Sequence, residues 1–397
     1  MDRLASNYSL PDYEGGSIVN LMESLSIGLN GRRTGYPPLR SLPLERVKAA
    51  KRIALVVIDG LGMNLLRQFD SDDREKPQLS TNLVGEMTSV FPPTTASAVT
   101  TFMSGLAPQQ HALTGWFMHL REIGTVTAVL PFIPRYAPLQ SNGDNMPMNE
   151  IIDIPGFSER LDRGIGVLLP NELKNSQYTK LLTSGESRIG YKDIHDFSQH
   201  LKRFCRGEKT NPFLYAYWPK LDSLAHVFGP YHHKVENHFA LIHETLAPIV
   251  ESATQNGTLL IVTADHGFIE NQPEQRVLLS EHPELKSMLT LPLCGEPRAA
   301  YAYVRHDCAH AFEHYVSSEL GDFVDCVPTE TLVDAGWYGL GEPHKELKAR
   351  AGDFVLLMKE QYAIYDSVIG EKPPALLGVH GGISAAEQRV PLILAGP

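Results

Sequence analysis

The chain has 397 residues, 43% hydrophobic and 20% charged, with a formal net charge of −11 at pH 7. That length accommodates one large α/β domain or two average ones, and the acidic balance excludes a nucleic-acid duplex as a general partner, because there is no basic excess to neutralise phosphates. No apolar run approaches the roughly 18 residues that span a bilayer, and M-D-R-L-A-S-N-Y-S-L-P-D-Y at the start has no apolar core of signal-peptide length. The expectation is a cytoplasmic protein with no membrane partner. Cys205, Cys294, Cys308 and Cys326 lie far apart without a C-x-x-C pair, which fits reduced thiols better than a disulfide framework or a cysteine zinc site.

Residues 1–49 are rich in Gly, Pro and Ser and read as a strap over the core, with one helix predicted from Ser17 to Leu29. Ile53 to Asp59 (I-A-L-V-V-I-D) is a continuous β-branched run, as expected for a strand buried on both faces of a parallel sheet. It ends in Asp59-Gly60-Leu61-Gly62, a tight turn, before a helical stretch from Met63 to Phe69. Next comes S-V-F-P-P-T-T-A-S-A-V-T-T-F-M-S-G, residues 89–105. Pro92 and Pro93 keep the backbone extended. A helix then starts at Thr94 or Thr95, where a hydroxyl stands beside unpaired N–H groups and the positive end of the dipole. That position suits either a plain N-cap or the holding of an anion such as phosphate.

Gly124–Pro131 and Phe132–Tyr136 read as strand and loop, and 141–187 as a turn-rich insertion. A helix over Tyr191–Arg206 leads to the strand Phe213–Trp218, followed by a polar segment from Lys220 to Pro230. Val235, Phe239, Ile242, Leu246, Ile249 and Val250 mark one face of a long helix, with Pro248 as the expected kink. Gly257–Asp265 (G-T-L-L-I-V-T-A-D) is a second buried strand ending in an aspartate. Tyr301–Arg305, Phe354–Met358 and Val390–Ala395 complete the strand candidates, and 270–300 reads as a long loop. The alternation predicts an α/β fold, a three-layer αβα sandwich around a largely parallel sheet.

Four places at or after buried strands carry chemistry: Asp59, the segment Asp222-Ser-Leu-Ala-His226, Asp265-His266-Gly267, and His380-Gly381-Gly382. Carboxylate plus imidazole suits zinc, and also manganese or iron. Asp222 and His226 stand four apart, so on a helical turn they share a side. Gly267, Gly381 and Gly382 permit close backbone approach. Each element alone is as readily a turn or a cap, but several at strand ends together point to a convergent site.

The order V-V-I-D-G, P-T-T-A-S-A-V-T-T-F-M-S-G, L-D-S-L-A-H-V-F-G-P, T-A-D-H-G and V-H-G-G-I-S resembles the alkaline phosphatase superfamily, and within it the type I phosphodiesterase / nucleotide pyrophosphatase branch. The resemblance runs from about Ile53 to the C-terminus. It implies one alkaline phosphatase-like catalytic domain over 50–397, with an insertion at about 116–190 covering the site. It also implies two divalent ions, zinc in most members, with manganese as an alternative. Asp222, His226 and His380 would hold one ion. Asp59, Asp265 and His266 would hold the other, with Thr95 bound to it as nucleophile. Thr95 is chosen over Thr94 because the family's nucleophile stands ten residues before the glycine closing its helix, here Gly105.

The implied activity is hydrolysis of a small phosphate ester or nucleotide through a phosphothreonine, with a phosphodiester or pyrophosphate favoured over a monoester. Two departures bear on this. The family's asparagine after the nucleophile is replaced by Ala96-Ser97-Ala98, and the Cys/Ser-x-Pro-x-Arg pattern of sulfatases is absent. A phosphomonoesterase or phosphomutase on the same scaffold, and a metal-binding recognition protein without turnover, are the alternatives. Trp116 and Phe117 are candidates to stack on a leaving group, and Arg135, Arg298 and Arg305 are candidate phosphate contacts. Nothing in the sequence specifies an oligomeric state.

Overall fold

In the computed structural model, which describes residues 8–70, 79–136, 148–161, 164–183, 187–209, 211–371 and 376–397, the β-branched run becomes the strand Arg52–Ile58, buried from Ile53 onward. It pairs in parallel with Phe213–Trp218 on one side and Thr258–Thr263 on the other. These three lie inside a seven-stranded sheet. Gly166–Pro170 and Ser187–Tyr191 extend it in parallel beyond Phe213–Trp218. On the opposite side, Arg389–Ala395 runs antiparallel to Thr258–Thr263 and to the edge strand Leu83–Thr88.

Strand periodicity sets the two helical layers, because alternate side chains leave opposite faces. On Phe213–Trp218, Phe213 meets Phe157 at 5.4 Å and Tyr215 meets Phe102 at 6.3 Å between ring centroids. Trp218 points the other way, against Phe197 and His238. The helix Thr95–Ser104 therefore covers one face, backed by Ile18–Gly28, while Ile194–Cys205 and His233–Asn256 cover the other. This is the three-layer αβα arrangement.

The N-terminal segment is built into that core: Ile18, Val19, Leu21, Met22 and Leu25 are fully buried. Asn20 holds the chain on both sides through its amide, which donates to the carbonyls of Tyr13 and Pro37 at 2.8 Å.

A second seven-stranded sheet differs from expectation. Tyr301–Arg305 and Phe354–Met358 are not strands of the central sheet. The strands Ala299–Ala302 and Phe354–Met358 pair antiparallel with each other, in the order Val324–Pro328, Phe354–Met358, Ala299–Ala302, Cys294–Glu296, Phe117–Leu120, Thr125–Ala128, Ile133–Pro134. The stretch 116–190 contributes strands to both sheets. Its first hairpin joins this second sheet, whereas Gly166–Pro170 and Ser187–Tyr191 lengthen the first. Residues 137–147, 162–163 and 184–186 of that stretch lie outside those described. The loop expected at 270–300 contains Cys294–Glu296. Three residues are too few for an alternating pattern to mark the strand.

Candidate functional site

The three central parallel strands end side by side, where open α/β sheets collect their ligands. Asp59 follows Arg52–Ile58. Asp265 follows Thr258–Thr263. Asp222 sits in the helix Lys220–Phe228, just after Phe213–Trp218. The polar segment Lys220–Pro230 is thus helical as far as Phe228, and its single turn from Asp222 to His226 brings Oδ1 and Nε2 to 3.2 Å. His380 arrives from the far C-terminal region, on the turn after the two-residue strand Gly378–Val379. Gly381 has a φ of +104° there, and a β-carbon on it would lie 2.6 Å from Cβ of Glu296. Only glycine lets that turn pass so close.

All six metal-ligand candidates converge. Nε2 of His266 is 3.3 Å from Oδ1 of Asp59 and 3.6 Å from Oδ2 of Asp265. The rings of His266 and His380 stack at 3.6 Å. Two sets have ligand atoms within 4.8 Å of one another: Asp59, Asp265 and His266, and Asp222, His266 and His380. His266 thus stands between the two, and His226 joins the second set through Asp222.

The hydrogen bonds fix how these rings face. Nδ1 of His226, His266 and His380 lies against the backbone carbonyls of Gly378, Gly267 and Pro93, at 2.8, 3.1 and 3.3 Å. A carbonyl only accepts, so each Nδ1 carries a proton, and in its neutral form each ring turns the Nε2 lone pair toward the carboxylates. Those carboxylates are also acceptors, and Oδ1 of Asp59, Oδ1 of Asp222 and Oδ2 of Asp265 are buried without a hydrogen-bond partner. Acceptors facing acceptors in a buried site call for a cation between them. The nitrogen and oxygen donor set fits a divalent transition metal.

Without such an ion, the electrostatics are strained in the same sense. Burial, and then the Asp222 charge, push Asp59 well above the usual carboxylate range. Burial and the Asp59 charge do the same to Asp265. Burial disfavours the His226 cation, yet the Asp222 carboxylate beside it raises that ring to about 9. Burial holds His380 well below its ordinary value. The supporting shell includes Tyr217, whose hydroxyl donates to Oδ2 of Asp59, and the amides of Gly60 and His266, which donate to Oδ1 of Asp265 at 3.0 Å. Sequence reasoning missed Tyr217; its signal was a buried phenol on an apolar strand, which needs a partner.

The two threonines separate clearly. The helix runs Thr95–Ser104 and is closed by Gly105 at φ +73°. Oγ1 of Thr95, at the first helical residue and half-buried, lies 3.2 Å from Nε2 of His266. Thr94 occupies the N-cap position, but its side chain caps nothing. Its hydroxyl donates to Glu296 at 2.6 Å instead. Ala96, Ser97 and Ala98 are wholly buried in the helix and do not border the cavity.

A cavity of about 510 Å³ opens over Thr94, Thr95, Asp222, His226 and His380. Its opposite wall comes from the second sheet and the loop near 365, with Trp116, Phe117, Glu296 and Tyr365. Trp116 is 38% exposed. It reaches this place because Gly115 crosses Gly295 so closely that a β-carbon on Gly115 would sit 2.6 Å from Cα of Gly295.

None of the three arginines considered as phosphate contacts offers a free guanidinium to this cavity. Arg135 lines the cavity but spends its donors on Glu371 at 2.8 and 2.9 Å and on the carbonyls of Leu293 and Asp366, with its plane over Phe117. Arg298 is buried in a two-point pair with Glu387 at 3.1 Å. Since Glu387 also accepts from the amide of Gly382 at 2.7 Å, this pair ties the second sheet to the His380 turn. Arg305 is exposed and lies away from the cavity. Glu296 was also missed by sequence reasoning, for it sits in C-G-E-P with no pattern to mark it.

Among solved structures, murine ectonucleotide pyrophosphatase / phosphodiesterase 5 superposes with a TM-score of 0.65 at 15% identity, covering 87% of this chain and 88% of that one. An inactive form of it, with one threonine replaced by alanine, was solved with AMP. Human ectonucleotide pyrophosphatase / phosphodiesterase 5 gives 0.64 at 14% identity over 87% and 88% of the two chains. Phosphonoacetate hydrolase from Sinorhizobium meliloti 1021, in complex with phosphonoacetate, gives 0.63 at 15% over 87% and 90%. At these identities the likeness is one of fold. No curated protein sequence matches this chain. No helix among the described residues is long and apolar enough to cross a membrane. The sequence profile of the type I phosphodiesterase / nucleotide pyrophosphatase family matches residues 53–128 and 162–383, which take in Asp59, Thr95, Asp222, His226, Asp265, His266, Glu296 and His380, and the chain belongs to that family of phosphoric ester hydrolases.

Proposed function

We propose that this protein hydrolyses a phosphodiester or nucleotide pyrophosphate bond through a phosphothreonine at Thr95, at a site for two divalent ions, zinc or manganese. The observation that carries this reading is the set of three imidazole Nε2 atoms and three buried, unpartnered carboxylate oxygens beside one threonine hydroxyl. Asp59, Asp265 and His266 would hold one ion, with Thr95 beside it, and Asp222, His226 and His380 the other. When bound, the ions neutralise phosphoryl oxygens and lower the pKa of a coordinated hydroxyl.

The chain's own residues supply the rest. The helix Thr95–Ser104 directs its first hydroxyl and its positive end at the phosphoryl group. Oγ1 of Thr95 forms a bond to phosphorus as the bond to the leaving oxygen breaks, and the leaving group departs as an alcohol or phosphate. Water then displaces the threonine in a second step. Tyr217, Gly60 and the backbone carbonyls of Gly378, Gly267 and Pro93 hold the ligands in place. Trp116 and Phe117 give the organic portion of the substrate an aromatic wall. The four thiols form no disulfide, which accords with a cytoplasmic setting.

The test is a turnover panel with bis-p-nitrophenyl phosphate, p-nitrophenyl phosphate and a nucleotide p-nitrophenyl ester, each with zinc or manganese, alongside elemental analysis. Diester turnover that requires one of these metals is the expected result. A clear monoester preference would move the protein to the phosphomonoesterase reading. Metal-loaded protein without turnover on any ester would leave only a binding role.

A further inference from the structure

One acidic group in the cavity has no place in the mechanism above. Glu296 lies on the short strand Cys294–Glu296 of the second sheet and is 7% exposed. Its Oε1 accepts two hydrogen bonds, from Oγ1 of Thr94 at 2.6 Å and from the amide of Trp116 at 2.7 Å. Among the described residues no donor reaches Oε2, and the residue lines the cavity beside Thr94, Thr95 and His380. The carboxyl is held from both sides. Thr94 precedes the nucleophile directly, and Gly381 closes on its Cβ. A buried carboxyl would be replaced by an apolar side chain at little cost if it served packing alone. Here it lines the cavity that Thr95 also lines and is bonded to the residue just before Thr95.

We propose that Glu296 is the specificity-determining residue of this site, a fixed negative group that admits a phosphodiester and disfavours a phosphomonoester. The inference rests on the phosphodiesterase reading above. A diester phosphoryl group carries one negative charge, whereas a monoester carries two at alkaline pH. The second charge meets the carboxylate. A unit charge a few ångströms from another in a protein site changes affinity by on the order of a hundredfold, and bound cations reduce that figure without reversing its sign. The aromatic wall of Trp116 and Phe117 offers the second ester group of a diester an apolar contact that a monoester leaves unused.

Glu296→Gln is the direct test, because the amide oxygen still accepts from Thr94 and Trp116 while the charge is gone. Metal-loaded wild type and variant are compared at pH 9, where the carboxyl is ionised, with bis-p-nitrophenyl phosphate and p-nitrophenyl phosphate. The ratio of monoester to diester kcat/KM is expected to rise by about tenfold or more in the variant. Calorimetric binding of inorganic phosphate and of dimethyl phosphate to the same proteins reads the same discrimination without turnover. Phosphate binding should tighten in Glu296→Gln while dimethyl phosphate binding stays within about twofold. Glu296→Asp, which withdraws the charge by one methylene, should shift both ratios in the same direction by less, and it carries the test if the glutamine variant does not fold. If wild type cleaves neither ester, the phosphodiesterase reading fails and the binding ratio alone judges Glu296. Equal changes for both substrates and for both anions, as a merely structural role would produce, overturn the proposal.

Discussion

The cavity has two walls that differ in nearly every physical respect. One is built from the ends of the central parallel strands and carries Asp59, Asp222, His226, Asp265, His266 and His380 within a few side-chain lengths, with three buried oxygens left unpaired. The other is built largely from the antiparallel sheet and is aromatic and aliphatic, with the buried carboxyl of Glu296, with Asp366 and Glu371 paired to Lys286 and Arg135, and with the donors of Arg135 engaged. Polar groups left unsatisfied in a buried site cost stability unless something completes them. On the proposed function the first wall serves an ion and a reacting phosphoryl group. The second wall contributes shape and charge. On this division, damage to the first should fall on kcat, and damage to the second on KM and on the choice of substrate.

The largest effect should come from the first wall. On the proposed mechanism Thr95→Ala removes the nucleophilic oxygen, so turnover should fall by several powers of ten while metal content is retained; Thr95→Ser should keep measurable activity. If Thr94→Ala proves the dead variant instead, the assignment of the nucleophile is wrong. Removing metal with a chelator should likewise abolish turnover and lower the melting temperature, with both restored by zinc or manganese. A chelated protein that keeps its full activity would dissolve the contrast between the walls.

The joint between the walls is the next place to press. Arg298→Ala leaves Glu387 buried without its partner and should cost about 3–5 kcal/mol in denaturant unfolding. Because Glu387 also holds the amide of Gly382, metal affinity should fall with it. Thr94→Ala leaves Glu296 short of one hydrogen bond and should cost about 1–3 kcal/mol. That exceeds the loss of an unused cap, and a change near zero would show that the bond to Glu296 contributes nothing.

The mildest predictions concern the second wall alone. Trp116→Ala should raise KM for an aryl diester several-fold with kcat nearly unchanged, and a large fall in kcat would place Trp116 with the first wall. Burial pushes Glu296 from 4.5 up to about 7. Its stabilising contribution in the metal-free protein is thus fully present below pH 4.5 and lost as pH rises to 7. Chemical unfolding across that window should show wild type losing on the order of 3 kcal/mol more than Glu296→Gln.

What the sequence determined by itself is the central sheet's chemistry. Ile53–Ile58 and Leu259–Val262 are continuous apolar runs because both faces of those strands are covered, and an acidic residue soon after such a run, Asp59 or Asp265, stands out against it. Asp222 and His226 are legible for a local reason, since four residues make one helical turn. The second sheet was decided only in three dimensions. Its strands are two to five residues long and are gathered from Phe117 to Met358 by antiparallel pairing. Pairing of that kind depends on partners far away in the chain, so no local period records it. The same holds for Thr94 and Thr95, adjacent and alike in sequence. One turns toward His266 and the other toward Glu296 because the helix begins between them, and Glu296 is brought there by a strand 200 residues further on, which no spacing in the sequence could announce.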